Sequence, residues 1–402
     1  MPVDTEAAET LSSPNYDEFQ SDLEIFELLR QRPNSVLRIT MPHASAASPD
    51  EMLVEGSDEA LEAAQSRMAE LQDGPLTRTL NDVMFLYEIE DPERPDTRQI
   101  GLGGVAPSRD ILTDATPDGT IVRNEGVRPK KARGRADLID STMAIIGTVN
   151  NAVEDPSGRF AALLDQISDQ RAPDFTAAAE DGCRHLIRLL PESRERDELV
   201  RALAEEPFAY VADGNHRSAA AAMLGLEGFL TVMFPAHRMG LLPYNRLVRE
   251  NARSADAWRS SLDDDFEVSE SDPGKDYQPT GQHCIGLYTP GAWLRLSPRP
   301  GSFDPANAAE SIDSNIVQRR IFERVCGIPD PRDERLTFVG GNRNAAYLRG
   351  RVDAGEFGFA VTLPPVSMDQ FVDVCRQRRM MPPKSTWFSP KIRSGLVMAK
   401  LD

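Results

Sequence analysis

One short stretch of the sequence combines residue types that bind anions. An apolar run ends in Asp213, Gly214, Asn215, His216 and Arg217. A carboxylate can bind a divalent cation or accept a proton, and a glycine lets a ligand approach the backbone. An imidazole can shuttle a proton or donate to phosphate, and a guanidinium can hold an oxyanion through two hydrogen bonds. The competing interpretation, a helix-capping aspartate with solvent-facing neighbours, explains the carboxylate but not the His-Arg pair, so we favour a phosphate site.

The flanking sequence predicts the elements that would position this site. Residues 208–212 are apolar and partly aromatic, which is typical of a strand, and residues 218–224 are alanine-rich, which favours a helix. The Asp-Gly-Asn sequence between them signals a turn. A strand, a turn and a helix in this order direct backbone N–H groups and the positive end of the helix dipole to one place, where an anion can bind.

A second candidate is the basic segment 121–135, in which six cations surround the single carboxylate of Glu125. A charge run of this kind is usually a solvated loop, here one that leads into a predicted helix at residues 136–149. The alternative is that Glu125 is a base or metal ligand in an anion-holding pocket. The cations are Arg123, Arg128, Lys130, Lys131, Arg133 and Arg135.

A third candidate is the segment 381–391, which carries three prolines, two lysines, three hydroxyl side chains and two aromatic rings. Prolines stiffen a loop, so Lys384, Ser385, Thr386 and Lys391 could form a rigid anion site beside an aromatic wall. The alternative is a surface tail whose aromatic rings fill part of a core. The segment is not a P-loop, because the glycines of that motif are missing.

Composition limits the class of protein. The 402 residues include 45 Lys and Arg against 64 Asp and Glu, which gives a formal net charge of −19. This charge argues against a protein that wraps nucleic acid or lies on an anionic membrane, since both need a basic surface. The four cysteines lie far apart, and the five histidines show no metal-binding spacing. We therefore expect a soluble cytoplasmic protein with reduced thiols and no membrane span.

Hydrophobic periodicity predicts a mixture of helices and strands. The acidic residues 1 to about 20 lack an apolar period, which is typical of a mobile arm. Residues 242–246 are interpreted as a polar turn with no chemistry of its own. Helices are predicted at 58–72, 136–149, 158–168, 174–190, 192–205, 305–325, 345–354 and 367–377, and strands at 32–41, 82–88, 98–105, 229–235, 284–288, 292–296, 336–339, 357–363 and 395–399.

Several segments together resemble the bacterial family called domain of unknown function 1015, from about residue 25 to the end of the chain. The Pro-Pro-Lys-Ser-Thr-Trp-Phe-x-Pro-Lys sequence is the most specific of them. The other segments are 34–40, Arg123-Asn124-Glu125 with Lys131 and Arg135, Ala212 to Arg217, 242–246, 338–341 and 394–396.

The Asp-Gly-x-His-Arg turn of this family is similar to that of the ParB/sulfiredoxin-like superfamily, whose members bind nucleotides there and include free serine kinases. The resemblance implies an α+β fold with a ParB/sulfiredoxin-like nucleotide-binding core and a C-terminal α+β extension. It also implies ATP or ADP as donor and Mg²⁺ as cofactor. On this basis we expect a mobile acidic arm at 1–24, a nucleotide-binding or catalytic domain at 25–262, and a C-terminal domain at 263–402 that contributes the Pro-Pro-Lys-Ser-Thr-Trp-Phe loop.

Residue roles follow from the same resemblance. Asp213 would bind the metal, His216 and Arg217 would hold phosphate, and Glu125 would deprotonate the acceptor hydroxyl. The sequence departs from the family twice, because Asn124 and Asn215 replace histidines, which could shift the substrate or the pH dependence. The additional binding residues are Gly214, Asn215, Arg123, Lys131, Arg135, Lys384, Ser385, Thr386 and Lys391.

The resulting expectation is a phosphotransferase that moves a phosphoryl group from an adenine nucleotide to a small hydroxylated metabolite such as serine. The alternative is a regulatory protein that binds a nucleotide at the same turn without turnover. A DNA-binding role ranks third, because of the acidic charge and the absence of an evident helix-turn-helix.

Overall fold

The computed structural model describes residues 1–272 and 274–401 and shows the mixed α+β architecture that the sequence predicts. The strands in chain order are β1 (Met84–Glu90), β2 (Gln99–Pro107), β3 (Ile121–Val122), β4 (Ala144–Ile145), β5 (Val149–Val153), β6 (Phe175–Ala178), β7 (Arg184–Leu190), β8 (Ala209–Asp213), β9 (Gly228–Pro235), β10 (Gly240–Leu242), β11 (Tyr244–Val248), β12 (Phe266–Glu270), β13 (Ile285–Thr289), β14 (Ala292–Pro298), β15 (Leu336–Gly340), β16 (Phe359–Thr362), β17 (Trp387–Ser389) and β18 (Ala399–Lys400).

The helices in chain order are α1 (Thr5–Leu11), α2 (Asp22–Gln31), α3 (Leu37–Thr40), α4 (Asp58–Asp73), α5 (Pro129–Thr142), α6 (Arg159–Gln170), α7 (Arg194–Ala204), α8 (Asn215–Leu224), α9 (Ala255–Leu262), α10 (Asp313–Val317), α11 (Ala345–Asp353) and α12 (Met368–Arg376). No helix among the described residues is long and apolar enough to cross a membrane.

The chain forms two compact units. The first comprises Met1–Arg123, Val127–Met239 and Pro390–Asp402, and the second comprises Asn124–Gly126 and Gly240–Ser389. The bounds of these two units differ from those of the predicted domains, 1–24, 25–262 and 263–402. The domain division stays a prediction.

The first unit is built on an eight-stranded sheet of order β3-β8-β5-β9-β2-β1-β7-β6. The pairs β3/β8 and β5/β9 are parallel, and the other neighbours are antiparallel. Leu86, Val149, Val211 and Phe229 are at most 1% exposed and belong to one apolar cluster. The buried sheet therefore provides a rigid base for the turn that follows β8.

The second unit is built on a six-stranded antiparallel sheet of order β12-β14-β13-β16-β11-β15. Trp258, Phe266, Phe322 and Phe359 are fully buried in its main apolar cluster. A second, two-stranded sheet pairs β10 with β17 and so ties the start of this unit to the end of the predicted 381–391 segment.

Two predicted elements in the first half of the chain are wrong. Residues 32–41 contain the short helix α3 and no strand, because Val36 and Ile39 pack into one apolar cluster and Leu37 and Met41 into another, at helical spacings of three and four. Residues 174–190 form the hairpin of β6 and β7 instead of a helix. Gly182 at its turn has a φ of +86°, which only glycine adopts readily.

Helix α5 is displaced from its prediction at residues 136–149. It begins at Pro129, because proline suits the first helical position, and it ends at Thr142 before Met143, whose φ is +49°. The predicted turn at 242–246 is the β10/β11 region, and Tyr244–Val248 lies between two antiparallel partners. The predicted helix 305–325 is the shorter α10 followed by a π-helical segment at Gln318–Glu323, and the last strand is only Ala399–Lys400.

The predicted mobile arm contains regular structure. Helix α1 begins after Asp4, whose side chain accepts a hydrogen bond from the Ala7 backbone N–H, and Ala8 and Leu11 are buried. The prediction missed this helix because only a few small apolar residues carry its period.

A buried histidine in the first unit predicts acid sensitivity. The 1%-exposed His185 contacts the Tyr87 hydroxyl through Nδ1 at 3.0 Å, and burial, with Arg393 nearby, lowers its pKa to about 3. Between this value and the unfolded value near 6.5, the unfolded chain binds a proton that the folded chain does not, so stability falls as pH falls. We expect a loss of about 2 kcal/mol between pH 6.5 and pH 5, measured by urea unfolding.

The variant His185→Gln should reduce this pH dependence, whereas His237→Gln, at an exposed histidine, should leave it unchanged. Equal acid sensitivity in both variants would show that His185 is not the responsible group.

Candidate functional site

The candidate turn has the strand, turn and helix order that the sequence predicts. Strand β8 ends at Asp213, Gly214 adopts a φ of +100°, and α8 begins at Asn215. Gly214 occupies the N-cap position and Asp213 is the last residue of β8, so Asp213 is not the N-cap residue of α8. Asn215 is 9% exposed, and its Oδ1 has no hydrogen-bond partner among the described residues.

His216 joins the starts of two helices. Its Nε2 accepts a hydrogen bond of 3.0 Å from the backbone N–H of Arg128, the residue that precedes α5. A ring nitrogen that accepts a hydrogen bond carries no proton, so this contact assigns the neutral imidazole with its proton on Nδ1. The start of α5 therefore lies against the first turn of α8, which contains His216. The positive ends of helices commonly bind phosphate.

The first turns of the two helices carry no acidic residue. Acidic residues, which are favourable at the positive end of the dipole, begin α2, α4 and α7, whereas α5 and α8 have none, as is also the case for α3, α6 and α11. Lys130 and Lys131 occupy the first turn of α5. Cations at this end of a helix are unfavourable by themselves, and a bound anion would compensate them.

Arg217 is held in place by a carboxylate and by a glycine. Its Nη2 donates to Asp213 Oδ2, and the arginine side chain is only 12% exposed. A Cβ atom added to Gly147 would lie 2.6 Å from Arg217 Cδ, which is too close for any real contact. Gly147 therefore leaves the space in which the arginine lies.

Lys391 contacts the same aspartate, although it lies 178 positions further along the chain. Its Nζ donates to Asp213 Oδ1 at 2.9 Å, and its side chain is 6% exposed. The first unit thus brings together four predicted site residues, Asp213, His216, Arg217 and Lys391, around one turn.

The other predicted cations of the first unit have different surroundings. Arg123 is half-buried, and desolvation lowers its pKa while Asp114 opposes the change. Arg135 donates to the Thr40 carbonyl oxygen at 3.0 Å and stacks on the Tyr16 ring at 3.8 Å, so it also fixes local structure. Lys131 is exposed in the first turn of α5.

Glu125, Lys384, Ser385 and Thr386 belong to the second unit. Glu125 is 8% exposed and pairs in a parallel bridge with Met381, whose N–H donates to the Asn124 carbonyl oxygen at 2.8 Å. The Ser385 hydroxyl lies 2.7 Å from that of Ser314 and donates to Pro382 O. The second unit therefore places the candidate base beside the proline-rich loop.

Arg246 is a residue of this cluster that the sequence interpretation missed. It is 3% exposed, and its guanidinium donates to the carbonyl oxygens of Tyr244 at 2.7 Å and Lys384 at 3.0 Å and lies 4.5 Å from the Phe338 ring centroid. Desolvation lowers its pKa to about 10, while Tyr244 and Glu125 act in the opposite direction. The signal available in the sequence is an arginine next to the apolar pair Leu247 and Val248, in a segment whose polar residues predict a turn.

The aromatic wall of the loop is buried. Trp387 is 3% exposed, lies 5.2 Å from the Tyr244 ring, and occupies the space where a Cβ on Gly340 would be. The aromatic rings therefore serve packing, as the alternative interpretation of this segment predicted. Lys384, in the same loop, has a φ of +61°, a conformation that non-glycine residues rarely adopt.

The surroundings of Asp213 do not suit a resident Mg²⁺. Both carboxylate oxygens contact cations, Arg217 at Oδ2 and Lys391 at Oδ1. Across residues 1–272 and 274–401, no group of three or more His, Cys, Asp or Glu side chains could hold a metal ion. The role of Asp213 as a metal ligand thus remains a prediction from resemblance that this arrangement does not favour.

Comparison with known families identifies the chain. The family described as "Protein of unknown function (DUF1015)" matches residues 2–320. The chain belongs to this family. The match starts earlier than the predicted residue 25 and stops before the 381–391 segment. No curated protein matches the chain.

Solved structures give only weak likenesses. A free serine kinase in complex with AMP has a TM-score of 0.43 at 10% identity and covers 74% of this chain and 92% of its own. SbnI with a C-terminal truncation, from Staphylococcus aureus, has a TM-score of 0.40 at 9% identity over 74% and 87%. A conserved hypothetical protein from Pyrococcus furiosus has a TM-score of 0.40 at 9% identity over 73% and 93%. At TM-scores below 0.5, these likenesses establish neither a shared fold nor a shared activity.

Proposed function

We propose that this DUF1015 protein binds an adenine nucleotide at the turn 213–217 and transfers its terminal phosphoryl group to a small hydroxylated metabolite such as free serine. The observation that carries the phosphate site is the contact between His216 and the Arg128 N–H, which brings the starts of α5 and α8 together. Arg217 and Lys391 add two cations. Phosphoryl transfer needs such positioning and charge neutralisation more than covalent chemistry.

In the proposed reaction, the acceptor hydroxyl oxygen forms a bond to the terminal phosphorus and the bond from phosphorus to the bridging oxygen breaks. The hydroxyl proton goes to a carboxylate base, and the nucleotide leaves one phosphate shorter. Glu125 stays the proposed base on the strength of the sequence resemblance. No step is assigned to a metal ion, because both oxygens of Asp213 already contact cations.

The test is to titrate the protein with ATP, ADP and AMP, with and without serine and other hydroxy acids, while product is followed by ³¹P NMR. Binding together with a phosphorylated acceptor supports the proposal, and Glu125→Gln should then remove turnover but keep nucleotide binding. Binding without product for any acceptor would favour the nucleotide-sensing regulator. If no adenine nucleotide binds, the proposed function is wrong.

The glycine below Arg217 gives a sharper prediction. In Gly147→Ala, the new methyl group would displace the arginine side chain, so we expect nucleotide binding to weaken about tenfold, or about 1.4 kcal/mol. Isothermal titration calorimetry measures this change. The matched control is Gly134→Ala in α5, where nothing lies within 4 Å of the added atom. That variant should bind normally and gain up to about 1 kcal/mol in stability, and equal affinities in the two variants would contradict the placement of Arg217.

A further inference from the structure

Asp213 lies between two cations that come from distant parts of the chain. Its Oδ1 accepts from Lys391 Nζ at 2.9 Å, and its Oδ2 accepts from Arg217 Nη2. The side chains of all three residues are at most 14% exposed. Each carboxylate oxygen therefore has its own cation in a place largely shielded from water.

The two contacts of Asp213 leave it poorly suited to a divalent cation. Each of its carboxylate oxygens accepts a hydrogen bond from a cationic side chain. A divalent cation on Asp213 would lie within a few ångströms of the lysine or the arginine, and like charges at that distance repel each other. A phosphate would instead be attracted by both side chains and by the positive end of α8.

We propose that Asp213 is a positioning residue, the shared counter-ion that orients Arg217 and Lys391 toward a phosphate, and that phosphate binding at this turn requires no divalent cation on Asp213. This inference rests on the proposed phosphate site. It assigns to Asp213 a role opposite to that of a metal ligand: the carboxylate acts through the two side chains that it holds.

Confinement by neighbouring backbone supports a fixed cation pair. Cβ atoms at Gly147 and Gly214 would lie 2.6 Å from Arg217 Cδ and 3.0 Å from Arg217 Nε. The side chain of Arg217 thus packs against Gly147 and Gly214, and its guanidinium contacts Asp213. Because the path is narrow and the end is anchored by a carboxylate, little conformational freedom is left to lose when a phosphate binds.

The test compares binding in EDTA with binding in millimolar Mg²⁺, and AMP is the suitable probe. A monophosphate binds Mg²⁺ only weakly, so most of the AMP stays free of metal in both conditions. Calorimetry should give the wild-type chain the same AMP affinity in EDTA and in millimolar Mg²⁺. Asp213→Asn should weaken binding about tenfold or more in both conditions. If instead wild-type affinity collapses in EDTA to that of Asp213→Asn, the aspartate is a metal ligand and the inference is overturned.

A second variant keeps the test decisive if Asp213→Asn does not fold. Lys391→Met removes the other charge partner, so we expect it to lose AMP affinity equally in EDTA and in Mg²⁺. A gain of affinity in Mg²⁺ would instead mean that the lysine competes with a metal for Asp213, against the inference.

A ligand-free measurement separates this inference from the proposed function. If the wild-type chain binds no AMP in either condition, the nucleotide site fails, and a Mn²⁺ titration followed by electron paramagnetic resonance decides the role of Asp213. No Mn²⁺ binding supports the counter-ion role, whereas Mn²⁺ binding that Asp213→Asn abolishes contradicts it.

Discussion

Arg217→Ala should weaken the binding of ATP or ADP by about 100-fold or more, the largest loss expected from a single change at the turn. A guanidinium bound to phosphate through charge-assisted hydrogen bonds contributes about 1.5–3 kcal/mol for each bond, and tenfold in affinity corresponds to about 1.4 kcal/mol. The substitution also removes the guanidinium that donates to Asp213 Oδ2. Calorimetric titration of the nucleotide measures the loss.

The control for this prediction is Arg194→Ala on α7. Arg194 pairs with Glu198 and its side chain is 89% exposed, so its removal should change affinity less than about twofold, since exposed pairs contribute little. Arg217→Lys should fall between the two, because lysine keeps the charge but not the planar pair of donors. An affinity of Arg217→Ala within about threefold of the control would mean that the arginine does not touch the phosphate.

Arg246→Ala should destabilise the chain by about 3–5 kcal/mol, the range measured when one partner of a buried ionic contact is removed. The change leaves the carbonyl oxygens of Tyr244 and Lys384 without their donor and removes the stack on Phe338. It also removes the cation that the negative charge of Glu125 attracts. Urea unfolding, followed by the fluorescence of the tryptophans, measures the loss.

Arg249→Ala provides a matched control just beyond the end of the same strand. Arg249 is exposed; its guanidinium donates to the Thr337 hydroxyl at 3.4 Å and lies 4.7 Å from the Phe357 ring centroid. Because exposed contacts of this kind contribute little, its removal should cost less than about 1 kcal/mol. If the two variants unfold at the same urea concentration, Arg246 does not hold the Lys384 loop as its hydrogen bonds indicate.

Local sequence predicts local parts of the molecule well. The turn at Gly214 could be predicted because a β-rich run, an Asp-Gly-Asn signal and an alanine run agree with one another. The 174–190 hairpin could not, because the apolar residues of β7 satisfy a helical period as well as an alternating one, and a single Asp-Gly pair at Gly182 marks the turn.

The partners of the site residues are set by long-range contacts. Nothing local indicates that Lys391 reaches Asp213, 178 positions earlier, or that the Arg128 N–H meets His216. Arg246 was missed for a related reason: the burial of a charged side chain depends on Phe338 and Lys384, which are distant in sequence. The sequence therefore indicates which residue types are candidates for the site, whereas their contacts follow only from the fold.

The most direct test of the central claim is amide hydrogen exchange at the start of α8 with and without saturating ADP. The first N–H groups of a helix have no carbonyl partner within it, and these groups bind phosphate at helix starts. We predict that ADP slows exchange at Asn215, His216 and Arg217 far more than at the start of α7. Binding of ADP with unchanged exchange at these three amides would contradict the assignment of the turn as the phosphate site.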